Sequence, residues 1–231
     1  MPASGAFDLI IFDCDGVLVD SEVIACRALA EVLVEFGFKL AVDEITDRFI
    51  GTSSRDMYTA LEADWGCVLP DALKARIRAR SRELFDRELQ PIKGVAAALA
   101  GLAGPRCVAS SSGPEAISYK LGRTDLLRCF EPAVLFSSHM VSRGKPAPDL
   151  FLHAAERMRA APKRCLVIED SVPGVTAAKA AGMTAYGFIG ASHCRADHRE
   201  RLSTAGADLV FAEMRELPSL IAQRNATFTT S

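Results

Sequence analysis

Two carboxylates two residues apart, Asp13 and Asp15, follow an apolar run in the stretch "IIFDCDGVLVDSE" (residues 10–22), and Gly16 comes next. A carboxylate at the end of a strand can attack an electrophile such as phosphorus and form an acyl phosphate. A second carboxylate two residues on can face the same pocket, protonate a leaving oxygen and later take a proton from water. Gly16 lets the chain turn sharply beside a ligand. An acidic turn without function has the same spelling, so the pair needs company. Three other segments supply it. "VASSSGPEA" sets Ser110, Ser111 and Ser112 ahead of Pro114, which suits a first helical turn, and hydroxyls with free N–H groups there make an anion site. Simple capping by Ser112 is compatible with that role. "SRGKPAPD" holds Lys145 in a stiff Gly/Pro loop, where an ammonium can neutralise a phosphoryl group; taken alone, a solvated lysine is the commoner case. "VIEDSVPG" ends in Glu169 and Asp170. Adjacent carboxylates beside Asp13 repel unless a cation joins them, and Mg²⁺ accepts one or two carboxylates plus waters.

These residues need a scaffold that brings strand ends together. "FDLIIFD" (7–13) is a continuous apolar run of strand length, as expected for a parallel sheet covered on both faces. Similar runs start at 106, 133, 164, 184 and 208, with Ala- and Leu-rich helical stretches between them. That alternation predicts an α/β fold, a parallel sheet between two helical layers, with ligands at the carboxyl ends of the strands. The stretch after Asp20 breaks the alternation. Asp20 or Ser21 can cap a helix that Gly37 ends, Met57, Ala60 and Leu61 mark a second helix, and Leu73, Ile77, Leu84 and Phe85 a third. The expected organisation is a core of residues 1–18 and 91–231 with an all-helical insert at 19–90. The tail "NATFTTS" (225–231) reads as polar and frayed.

Composition sets limits. Of the 231 residues, 49% are hydrophobic and 24% charged, which argues for a folded globular chain. A formal net charge of −2 gives no basic field for nucleic acid. The apolar start lacks a basic n-region and is a poor signal peptide, and no stretch approaches the ~20 apolar residues of a membrane helix. Seven scattered cysteines without CxxC suggest reduced thiols and a cytoplasmic setting.

Taken together, "DCDGVL" (13–18), Ser110 in "VASSS", "GKPAPD" (144–149) and "VIEDSVPG" (167–174) resemble the motif set of the haloacid dehalogenase superfamily, in particular its phosphatases with a small helical cap. The likeness spans nearly the whole chain and includes the place of the insert. It implies a Rossmann-like core and an aspartyl-phosphate mechanism, with Asp13 as nucleophile and Asp15 as general acid/base. It implies Mg²⁺ held by Asp13, the backbone carbonyl of Asp15 and Asp170, with Glu169 in support, and a phosphoryl group bound by Ser110 and Lys145, Ser111 adjoining. Dehalogenases and phosphonatases of this kind generally lack an acid at Asp15, so phosphate esters are the expected substrates. The sugar phosphomutase branch shares the core motifs but usually has a cap histidine where Ala25 stands. A non-catalytic protein on the same fold is disfavoured because both Asp13 and Asp15 are present. The cap loop "FIGTSSRDM" resembles the family's specificity loop, with Arg55 placed to meet a substrate anion. "DCDGVLVDSEVI" and "LFDREL" look similar to bacterial members acting on 6-phosphogluconate-like sugars, so a sugar phosphate is the expected ligand.

Three further features carry weaker expectations. Lys74, Arg78 and Arg82 share one face of a cap helix and Arg76 and Arg80 another, and both read as solvated charge rather than an anion-attracting lid. His193, Cys194 and His198 in "SHCRADH" have soft-metal chemistry but read as a surface loop. Tyr58 and Trp65 read as cap packing.

Overall fold

The computed structural model describes residues 6–229. Strand β1 (Leu9–Phe12) is followed by four helices, α1 (Glu22–Glu35), α2 (Val42–Phe49), α3 (Ser54–Trp65) and α4 (Asp71–Glu88). The chain then alternates: α5 (Val95–Gly101), β2 (Arg106–Ser110), α6 (Pro114–Arg123), β3 (Leu135–Ser137), α7 (Asp149–Arg157), β4 (Cys165–Glu169), α8 (Val172–Ala180), β5 (Thr184–Phe188), α9 (His198–Thr204), β6 (Leu209–Phe211) and α10 (Leu217–Thr229). All six apolar runs named from sequence are strands.

The strands form one parallel sheet in the order β3-β2-β1-β4-β5-β6. The chain winds outward from β1 to β3, then returns to place β4 on the other side of β1. That reversal is the position at which open α/β sheets bind ligands. β1 is central, with Phe12 beside Val108 of β2 and Ile168 of β4. Strand alternation sorts its side chains. Ile10 and Phe12 join the apolar layer with Ile117, Leu121 and Phe188. Leu9 and Ile11 join the opposite layer with Phe151, Ala154 and Ala178. Both layers are dry, so both faces of the strands are apolar, as a parallel sheet requires.

The insert has its own apolar cluster, drawn from Leu29, Val32, Leu33, Ile45, Leu61, Leu73 and Ile77. Its entry and exit run side by side. Val19 pairs antiparallel with Pro91, and Asp20 N–H donates to Gln90 O at 2.9 Å.

Several local expectations need correction. Helix α2 was not foreseen, because only Ile45 and Phe49 of "VDEITDRF" are buried, a stripe one turn long. Ser21 occupies the position before α1 without capping it, since its hydroxyl turns to Asp15 instead. Ser112 does not cap α6 either; Gly113 precedes that helix. The tail is helical through Thr229, and its last two residues lie outside those described. Asn225 there accepts a hydrogen bond from Ala6 N at 2.6 Å, tying the two ends of the described chain together. All seven cysteines are free thiols. No helix among the described residues is long and apolar enough to cross a membrane.

Candidate active site

Asp13, Asp15, Ser110, Lys145, Glu169 and Asp170 come together at the carboxyl edge of the sheet, delivered by the ends of β1, β2 and β4 and by the loop before α7. Lys145 is only 4% exposed. Its ammonium lies 3.0 Å from Asp13 Oδ1 and 2.5 Å from Glu169 Oε1. A lysine this deeply buried needs such partners, and the solvated alternative is excluded here. Burial pushes the Asp13 carboxyl well above its ordinary range, against the pull of Lys145, with Glu169 and Asp170 adding to the rise. Burial does the same to Asp170, with Glu169 next in importance. The two oxygens of Asp170 are buried and accept no well-directed hydrogen bond, although His193 Nε2 stands 3.0 Å from Oδ2.

This is what a divalent cation site looks like from the protein side. Ligand atoms of Asp13, Glu169 and Asp170 all lie within 4.8 Å of one another. Three buried acids face one ammonium, and orphaned carboxylate oxygens are costly unless a cation satisfies them. The residues present therefore fit a hard cation such as Mg²⁺. Glu169 is the least free of the three. Its Oε2 accepts from Ser171 N at 2.8 Å and Ser171 Oγ at 2.9 Å, and its Oε1 holds Lys145. Its position suits it to fix Lys145 and the start of α8, where Ser171 Oγ caps Gly174 N at 3.1 Å. Gly16 makes the close packing possible. Its φ is +74°, and a Cβ there would come 1.9 Å from Asp170 Oδ2.

Asp15 has a different environment. It accepts from Ser21 Oγ at 2.5 Å, Ser112 Oγ at 2.8 Å and Ser110 Oγ at 3.4 Å, and it is ion-paired to Lys120. Burial opposes its ionisation, yet Lys120 and the hydroxyls hold its carboxyl below the usual range. Two acids two residues apart are thus driven in opposite directions, Asp13 toward its neutral form and Asp15 toward its carboxylate. Ser111 Oγ donates to Gly51 O of the insert at 3.1 Å. Gly51 has φ +78°, and a Cβ there would sit 2.4 Å from Ser171 Cβ. The insert loop therefore touches both β2 and β4 loops.

Between insert and sheet lies a cavity of about 460 Å³. Asp13, Asp15, Ser110–112 and Lys120 line its floor, and Leu29, Ile45, Phe49, Met57 and Phe85 give it apolar walls. Glu22 and Ala25 also line it. Burial pushes the Glu22 carboxyl up to about 8, with the charges of Asp15 and Asp170 adding to the effect. Glu22 is then neutral at pH 7, and ionisation above pH 8 adds negative charge to a cavity that must admit an anion. KM is expected to climb through that range, and Glu22→Gln, neutral throughout, to remove the climb while leaving neutral-pH KM within about twofold. KM measured from about pH 6 to 9.5 on both proteins decides it.

Arg55 is not brought to this cavity. It sits exposed in the first turn of α3. The arginines that line it are Arg78 and Arg82 of α4; both are exposed, as expected of that face, and Lys74 of the same row is paired with Glu62. Arg76 and Arg80, on the other face, are paired with Glu35 and Glu31. Trp65 stacks on Phe38 with ring centroids 4.2 Å apart, as insert packing, whereas Tyr58 lines the cavity.

Sequence reading missed Lys120. The available signal was its place on the apolar stripe of α6 with Ile117 and Leu121, where a lysine must find a buried acid. It also misplaced "SHCRADH" on the surface. His193 and His198 are each 5% exposed. His198 Nε2–H donates to Asp170 O at 2.5 Å, and His193 Nε2 lies 3.0 Å from Asp170 Oδ2. Burial keeps both imidazoles below their ordinary pKa, hence neutral at pH 7. The segment backs the Asp170 loop. It also reaches the insert, through Ser192 to Asp20 and Arg195 to Asp43 and Asp47.

A parallel α/β sheet with a paired-aspartate strand end, a buried lysine and a second acidic strand end defines a class of hydrolytic enzymes. A sequence profile of the haloacid dehalogenase-like hydrolases matches residues 10–188, and the chain belongs to that family. Several relatives are named as phosphatases, and the chain is an enzyme of the same phosphoric monoester hydrolase class. The 6-phosphogluconate phosphatase of Escherichia coli K12 is 32% identical over 96% of this chain and 98% of its own. A phosphatase of phosphorylated carbohydrates from Thermotoga maritima is 30% identical over 89% and 95%. The crystal structure of a haloacid dehalogenase-like protein of unknown function from Agrobacterium tumefaciens superposes with a TM-score of 0.79 at 39% identity, covering 94% of this chain and 98% of that one.

Proposed function

We propose that this chain is a Mg²⁺-dependent phosphatase of small phosphorylated metabolites, sugar phosphates above all, acting through an aspartyl-phosphate on Asp13 in a reducing, cytoplasmic setting. The observation that carries it is the buried Asp13 with Lys145 at 3.0 Å and the orphaned oxygens of Asp170 beside it. Residues 19–90 serve as a cap over a core of 1–18 and 91–231. Two of the relatives act by name on a phosphogluconate and on phosphorylated carbohydrates, which supports the substrate class.

In the first step the Asp13 carboxylate attacks phosphorus, the ester P–O bond breaks, and Asp15 gives a proton to the departing alkoxide. Asp15 rests as a carboxylate, so it must first take up that proton from solvent water. An incoming phosphoryl group supplies the reason. Its negative charge raises the proton affinity of Asp15 and competes for Lys120. In the second step water attacks the aspartyl-phosphate, Asp15 takes the water's proton, and the Asp13 carboxylate leaves with phosphate released. Ser110, Ser111 and Lys145 hold the phosphoryl oxygens. Asp13, Asp170 and the carbonyl of Asp15 would hold Mg²⁺, with Glu169 steadying Lys145. The metal would neutralise charge between the phosphoryl oxygens and Asp13.

Phosphorus NMR with Mg²⁺ and a panel of sugar phosphates tests this directly. Growing inorganic phosphate supports the phosphatase. Isomer peaks without net phosphate would establish a phosphomutase, against the absence of a histidine at Ala25. Removing metal with EDTA is expected to silence release and Mg²⁺ to restore it. Release that persists in EDTA contradicts the Asp13–Asp170 metal site.

A further inference from the structure

The cap helix α4 carries arginines on two faces, and the structure treats them differently. Arg76 is held by Glu35 at 3.0 and 3.1 Å and by Glu83 at 3.3 Å. Arg80 is held by Glu31 at 2.6 Å and Glu83 at 3.0 Å. Arg78 and Arg82, one turn apart and both exposed where they line the cavity, have no carboxylate within ion-pair distance among the described residues. The Arg82 guanidinium lies over the Tyr119 ring, 4.1 Å from its centre, and the Tyr119 hydroxyl is anchored on Asp86 at 2.6 Å. Arg82 is thus steadied by an aromatic face that leaves its N–H fork free. Around these two cations the wall is mainly apolar, with Ile77, Phe85 and Met57. The other acids lining the cavity are Glu115 at the rim, paired to neither arginine, and Glu22, whose carboxyl is neutral at pH 7.

A cavity of about 460 Å³ has room for much more than a phosphoryl group. Ser110 and Ser111 at the floor, with Lys145 buried beside Asp13, are the groups proposed for the transferring phosphoryl. Two unpaired guanidiniums on helix α4 of the cavity wall match a second anion, because the planar fork binds carboxylate or phosphate oxygens two at a time. We infer that Arg78 and Arg82 form an anion-binding subsite for the far end of the substrate. It rests on the phosphatase reading and narrows it. The favoured substrates are phosphate monoesters of an open-chain or compact sugar that carry a carboxylate or a second phosphoryl group remote from the one transferred. Arg78 and Arg82 are then specificity determinants that act on binding, not on bond cleavage.

Three six-carbon probes separate the possibilities: gluconate 6-phosphate with a terminal carboxylate, glucitol 6-phosphate of the same length without it, and fructose 1,6-bisphosphate. The wild type is expected to favour an anionic probe over glucitol 6-phosphate by about 10- to 100-fold in kcat/KM, the gluconate arm identifying a carboxylate and the bisphosphate arm a phosphoryl group. Arg78→Met and Arg82→Met should each raise KM for that probe about tenfold or more and leave glucitol 6-phosphate within about twofold, with kcat little changed. Arg→Lys at each position should recover part of the loss. Equal use of charged and neutral probes by the wild type, or equal damage to both in the variants, overturns the subsite. p-Nitrophenyl phosphate keeps the two readings apart. If the wild type hydrolyses it while showing no preference among the sugars, the subsite fails and the phosphatase stands. If no ester is hydrolysed, the phosphatase reading fails. Calorimetric titration of the same three sugar phosphates into the Mg²⁺-loaded protein still tests the subsite, which needs tighter binding of an anionic probe that Arg78→Met or Arg82→Met abolishes.

Discussion

Asp13→Asn is expected to lower phosphate release by at least about 10⁴-fold, with the protein still folded. The amide keeps the shape of the side chain but cannot form an acyl phosphate. Two neighbouring carboxylates are engaged elsewhere: Asp15 by Lys120 and three hydroxyls, and Glu169 by Lys145 and Ser171. Folding should not suffer. Asp13 is one of three buried acids around a single ammonium, and burial drives its carboxyl well above the ordinary range. Removing one buried negative charge relieves repulsion that Lys145 only partly offsets, so the metal-free variant should melt at the wild-type temperature or above it. Phosphate release and a thermal scan in EDTA check the two halves. Substantial residual turnover would remove Asp13 as the nucleophile.

Lys120→Met is expected to show the second large effect, on stability and on rate together. Lys120 is 4% exposed, and its ammonium bonds both Asp15 and Ser112 Oγ, the latter at 2.9 Å. Cutting a buried pair on one side leaves an uncompensated charge and costs about 3–5 kcal/mol. The sign with pH follows from Asp15, whose folded-state carboxyl lies below its ordinary value. Such a group contributes stability above the unfolded pKa of about 3.9 and loses it as pH falls through the lower, folded value. The variant should therefore be most destabilised at neutral pH and close the gap in acid, where its lone Asp15 takes up a proton. Turnover should fall as well, because the acid–base group loses its anchor. Urea unfolding of both proteins at about pH 7 and about pH 3 gives the comparison, and a pH-independent difference would contradict the pairing.

The sheet and its chemistry were legible in the sequence because both have short-range signatures. Each strand of a buried parallel sheet is a compact apolar run, and each site residue follows such a run at its end. Asp13, Ser110, Glu169 and Asp170 could be placed on that ground alone. Lys145 needed the structure to show that its loop turns inward. What stayed hidden depends on contacts between distant segments. Lys120 lies 105 residues from Asp15, and nothing local marks the pair except an out-of-place charge on an apolar stripe. His193 and His198 sit in a polar segment that packs inward against the Asp170 loop, where His198 meets the Asp170 carbonyl and His193 its carboxylate. Arg55, expected at the ligand, is exposed away from the cavity, and the exposed Arg78 and Arg82 line it instead. A charged row on a helix does not reveal which side borders a cavity until its neighbours are known, and here α1 supplies the acids that hold Arg76 and Arg80.

The adjacency of Val19 and Pro91 has a consequence for how such a protein can change over time. The two crossings between the sheet and the helices lie next to each other, and Ile92 N–H donates to Leu18 O at 2.9 Å just beneath them. To the sheet, everything between residues 20 and 90 is therefore one loop whose ends already meet. Closing such a loop costs little more when it is long than when it is short, since each doubling adds only about 0.6 kcal/mol. Helices can be lengthened, exchanged or redrawn there without moving Asp13, Lys145 or Asp170. The reaction and the choice of molecule then sit on separately editable stretches of one gene.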